Sequence, residues 1–203
     1  MKLNIFASIR GWCSTESLIQ PRDDDGSAEQ HDKAEAAAAR KVLCSFISKQ
    51  FAFLGEEVAA ELARRVNDTH REASLDGNPD HESVLRDSLV GNPFANRPRP
   101  YGFAFDARYV ENSEKVISAI WTAYGGNGRF DYDERTETAI PSRMFRKLEA
   151  WLRERNYAPV FIDTDSDEYF GIFCPLSRLE ELLRHAESLG ICCTTKIPSE
   201  EQE

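Results

Sequence analysis

The chain has 203 residues, 41% hydrophobic and 30% charged, with a net charge of −10. This length and composition support a folded domain with a real core and exclude a disordered polyelectrolyte. The acidic balance disfavours phosphate backbones, so nucleic acid is an unlikely partner and a basic protein is the better match.

No stretch approaches the roughly 18 apolar residues of a membrane span, and no membrane partner is expected. The apolar run of the opening MKLNIFASIRGW is broken by Asn4, Ser8 and Arg10. It lacks the layout of a signal peptide, which points to a cytoplasmic protein. Five cysteines (Cys13, Cys44, Cys174, Cys192 and Cys193) form no CxxC, and an odd count fits reduced thiols. The four histidines, His31, His70, His81 and His185, are scattered. Neither a metal nor a cofactor is expected.

Residues 1–12 read as a short strand or docking segment, and 18–33, with its Pro, Gly and three consecutive Asp, as a loop or flexible linker. The first division therefore falls at 1–32. Alanines and the Leu43, Phe46, Ile47 spacing predict a helix over 33–52. Gly55 interrupts, and EEVAAELARRVND resumes a helix with acids first and arginines last, as the helix dipole favours. Residues 71–100 are mostly loop by their Pro and Gly density, with a short helix at HESVLRDSL. These elements make a helical region over 33–98.

An α+β domain over 99–198 follows, with a tail at 199–203. The alternation of YGFAFD predicts a strand at 101–106. Helices are expected at 112–124, with Ser113 as a candidate N-cap, and at 142–156, where Phe145, Leu148 and Leu152 share a face. Between them, NGRFDYDERTETAIP reads as a polar excursion. APVFID and EYFGIFC read as strands, LSRLEELLRHAESLG as a helix ended by Gly190, and ICCTTKI as a closing strand. If the two consecutive helices form one crossover, the order becomes βαββαβ. That is the ferredoxin-like, split βαβ arrangement, an antiparallel sheet with helices on one face.

The stretch FIDTDSDEYFGIFC carries the main candidates, Asp163, Asp165, Asp167 and Glu168. A calcium loop needs Gly at its sixth position and Glu at its twelfth, but Glu168 and Cys174 stand there. A phosphatase of the haloacid-dehalogenase type would use Asp163 and Asp165, but too little chain follows. The simplest reading is a hairpin with a charged tip. On the next strand Tyr169, Gly171 and Phe173 share one face. Such aromatics could stack RNA bases if that face were free, and core packing is the competing expectation. Gly171 would permit close approach of a ligand or backbone. Asp106, beside Arg108, ends the first strand. In the Gly-rich 124–135 loop Arg129, Asp131, Tyr132 and Asp133 are candidates, although the loop lacks the features of a phosphate-binding cradle.

The segments YGFAFD and YAPVFIDTDSDEYFGIFCPLSRLEELLRHAESLGI resemble a family of uncharacterised bacterial proteins, domains of unknown function. The resemblance implies a small cytoplasmic α+β protein and supplies no catalytic residue. The expected function is therefore non-enzymatic protein binding, as in an acidic regulator or an immunity-type inhibitor of a basic toxin. The alternative is a metal-assisted hydrolase using the Asp163, Asp165 and Asp167 cluster. The sequence does not specify an oligomeric state.

Overall fold

The computed structural model describes residues 25–75, 79–90, 99–106, 112–132, 141–164 and 166–197. Residues 1–34 fall in one unit and residues 35–203 in a second. The expected strand or docking segment at 1–12 lies outside the described residues.

Helix α1 spans Asp25–Phe51. It starts within the stretch read as linker, because Ala28, Glu29 and Gln30 are good helix formers that lead into the alanine run. A 3-10 turn, Ala52–Leu54, leads to Gly55, whose φ of 104° suits glycine and ends the helical run. Helix α2 (Glu56–Ala73) then starts with Glu56 and Glu57 and ends near His70 and Arg71, so its charges oppose its dipole. Helix α3 (His81–Leu89) is capped by Asp80, whose carboxylate accepts from the Ser83 N–H at 2.7 Å.

Four strands follow among the described residues: β1 (Gly102–Asp106), β2 (Tyr157–Ile162), β3 (Glu168–Pro175) and β4 (Cys193–Thr194). Their order is β1-β3-β2-β4, and every neighbouring pair is antiparallel. Thus β1 and β2 run parallel with β3 between them, as a split βαβ unit requires. The ferredoxin-like arrangement would place β4 beside β1, whereas here it pairs with β2. Beside β1, Tyr101 N–H donates to Leu89 O at 2.9 Å, so the end of α3 occupies that neighbourhood.

β4 is also shorter than expected. It pairs Cys193 with Ile162 and Thr194 with Phe161. Continuing that register would soon bring it to Pro159, which has no N–H to offer a further partner.

Helices are not confined to one face. Along β3, Phe170, Ile172 and Cys174 are buried on one side and Phe173 on the other. Phe145 of α5 (Pro141–Arg153) packs against Phe103, Phe105, Phe161 and Tyr169 on the Phe173 side. On the opposite side Leu89 of α3 and the Phe170 ring both approach Gly102. One hydrophobic cluster runs from Leu43 through the sheet to Ile197, so the N-terminal helices supply the second cover.

The crossover from β1 to β2 contains α4 (Ser113–Ala123), a return segment and α5. Ser113 is the first residue of α4, and Asn112, at φ 57°, takes the cap position. Trp121 and Tyr124 at the far end of α4 meet Tyr157 at the start of β2. The chain then runs back along α4: Gly126 N–H donates to Trp121 O, Phe130 N–H to Ser118 Oγ, and Arg129 pairs with Glu114. Phe130 and Tyr132 are buried, with Trp151 against Phe130 and Lys147 over the Tyr132 ring. What reads as a polar excursion is, through residue 132, a packed return between α4 and α5. It lets both helices run in the same direction.

Helix α6 (Leu179–Ser188) follows a 3-10 turn, Leu176–Arg178, which tethers the helical region. The Arg178 guanidinium donates to Lys49 O at 2.7 Å and Gln50 O at 3.3 Å, capping the end of α1, and lies over Phe53. Arg178→Met keeps the apolar stem and removes these donors. It is expected to lower the unfolding free energy by about 1–2 kcal/mol, read as a lower urea midpoint at unchanged slope.

Candidate functional site

Strand direction gathers the acids. Asp106 ends β1 and Asp163 follows β2, while Glu168 opens the antiparallel β3 and stands opposite Asp106 in register. Asp106, Asp163, Asp167 and Glu168 therefore share one end of the sheet, and Asp165 lies outside the described residues. The expected hairpin is present: β2 and β3 pair out to Ile162 and Phe170. In its turn Thr164 and Ser166 hydroxyls are 2.7 Å apart, and Glu168 N–H donates to Ser166 Oγ at 3.3 Å. Asp163 N–H donates to Cys192 O at 3.0 Å, tying the hairpin to the segment before β4.

Cations are placed at the same end. Arg86 of α3 donates through Nε to Glu168 at 2.6 Å and through Nη1 to Asp87 at 2.7 Å. Burial opposes the Arg86 charge, but the Glu168 and Asp87 carboxylates outweigh it and raise its pKa. With both side chains about one-third exposed (34% and 36%), the Arg86–Glu168 pair contributes at most about 1 kcal/mol and acts mainly to orient Glu168. Phe145, in the second turn of α5, touches Phe105 and Tyr169, the neighbours of Asp106 and Glu168. The first turns of α5, with Arg143 and Arg146, consequently lie at this end too. The result is a surface with both signs of charge, carried on loops and element ends above a rigid sheet.

The other sequence candidates are packed into the core, paired, or placed elsewhere. Phe173 is 1% exposed and packs on Tyr124 and Phe103. Tyr169 is half-buried on Phe145. Gly171 does admit a close neighbour, the Phe103 ring and the Val160 carbonyl. Arg129 is exposed and paired with Glu114, and Tyr132 is buried beneath Lys147. Arg108 and Asp133 lie outside the described residues. Among the described residues no group of three or more His, Cys, Asp or Glu side chains is arranged to hold a metal ion. No helix among them is long and apolar enough to cross a membrane.

Sequence reading missed Arg86, which lies far from Glu168 along the chain. It also missed that Phe130 and the candidate Tyr132 are core residues, although their spacing in RFDYD is the alternation of an extended, half-buried segment.

The stretch from the end of β1 to β4 is the part of the chain that matches a known family. Residues 105–196 match the family model of a domain of unknown function, DUF6630. No curated protein and no solved structure matches the chain. The DUF6630 match contains Asp106, Asp163, Asp167 and Glu168, as well as Arg143 and Arg146. Arg86, which orients Glu168, comes from outside it.

Proposed function

We propose that this is a cytoplasmic, non-enzymatic regulatory protein that binds a basic protein partner through the charged end of its sheet. The observation that carries this reading is the convergence of Asp106, Asp163, Asp167 and Glu168 at the ends of β1, β2 and β3. A fixed arrangement of charge on loops above a rigid scaffold suits partner selection, since complementary charge speeds and orients encounter. The net charge of −10 favours a cationic partner over nucleic acid.

Thermal unfolding with and without Mg²⁺, Mn²⁺ or Ca²⁺ separates this reading from metal-assisted hydrolysis. A ligand that binds only the native state raises the melting temperature by mass action. The proposal predicts the same small, non-specific ion effect for wild type and for the triple variant Asp106→Asn, Asp163→Asn, Asp167→Asn. A rise of several degrees from one ion, present in wild type and absent in the variant, would make this end a metal site and overturn the proposal.

A further inference from the structure

Two imidazoles stand beside α1, one on α2 and one on α6. His70, on the inner stripe of α2, is 1% exposed. Its Nδ1 lies 3.1 Å from Ser74 Oγ, and its Nε2 has no hydrogen-bond partner among the described residues. A proton on that nitrogen would place a charge in a site that offers it no acceptor. Arg40 of α1 and the imidazole of His81 of α3 both disfavour a cation at His70.

His185 of α6 faces α1. Its Nδ1 lies 2.9 Å from the amide nitrogen of Gln50, a side chain 3% exposed, and its ring packs on Phe46 at 5.3 Å. With Gln50 donating, Nδ1 is the acceptor of a neutral imidazole. Protonation turns it into a donor facing a donor. Lys49 of α1 disfavours the cation, while Glu181 of α6, itself paired with Lys49 at 3.1 Å, favours it.

We propose that the docking of α1 is an acid-sensitive latch, in which protonation of His70 and His185 loosens α1 from α2 and α6. Helix α1 carries a cation toward each imidazole, Arg40 for His70 and Lys49 for His185, so both protonations repel the same helix. Burial, reinforced by these cations, holds both histidines below the ordinary imidazole value. A histidine of this kind contributes stability that is complete above about pH 6.5 and is lost as pH falls toward its folded value. The latch thus closes at neutral pH and weakens in mild acid, while exposed carboxylates remain ionised.

Hydrogen exchange of the full chain at about pH 7.5 and about pH 5.5, corrected for intrinsic rates, tests this. In wild type, residues 35–51 and the last turns of α2 should lose protection by a factor of about three or more on acidification, while β2 and β3 keep theirs. His70→Gln with His185→Gln, which cannot charge, should remove that pH response. A loss spread evenly over helices and sheet, no loss at all, or an unchanged response in the double variant would each overturn the proposal. If the double variant does not fold, the titration of the two imidazoles by NMR in wild type decides. Both must titrate below the ordinary histidine value, and either one titrating at or above it refutes the latch.

Discussion

Gly171→Ala is expected to be the most destabilising single-methyl change in the sheet. A Cβ at this position would stand 2.5 Å from the Phe103 ring and 2.7 Å from the carbonyl oxygen of Val160. Neither can yield cheaply. Val160 lies in the paired β2, and Phe103 is fully buried among Phe145, Phe161 and Phe173. Overpacking of this kind costs about 1–3 kcal/mol, and a clash with paired backbone belongs at the upper end. For a chain of this size the melting temperature should fall by about 6–12 °C. Gly171→Ser should cost at least as much. A drop of less than about 2 °C would show that β1, β2 and β3 do not approach as closely as described.

Gly126→Ala ranks second. Its Cβ would stand 2.0 Å from the Trp121 indole. That indole also donates to Asn127 O at 3.0 Å and makes edge contacts with Trp151 and Tyr157. Displacing it breaks the hydrogen bond and unseats the return segment at its start. The expected loss is about 3 kcal/mol, with tryptophan emission shifted to the red as the indole gains water. Unchanged emission and stability would mean that residues 124–132 are a plain surface loop after all.

Much of the architecture is legible in local patterns. The period of Phe145, Leu148 and Leu152 marks α5, and the alternation of EYFGIFC marks β3, because each reflects one element burying one face. The hairpin is legible in TDSD, since turn chemistry is local. Features that depend on another part of the chain are not. A longer β4 would meet Pro159 on its partner strand, and the second cover of the sheet comes from helices that precede it. The return segment hides two core aromatics among charged neighbours that pair outward, such as Arg129 with Glu114. The candidate site shows the same split. Its acids stand out in the sequence, but their convergence depends on β3 lying between β1 and β2. The contribution of Arg86 depends on where α3 is placed.

Recognition of a basic protein by this charged end is the proposal to test first. The most direct measurement is quantitative affinity capture from a native extract with wild type and with Asp106→Asn, Asp163→Asn, Asp167→Asn, at about 50 mM and about 300 mM salt. A basic protein should be retained by wild type at low salt, held more weakly at high salt, and lost from an equally stable variant. A partner held equally by wild type and variant, or a basic partner absent altogether, would contradict the proposal.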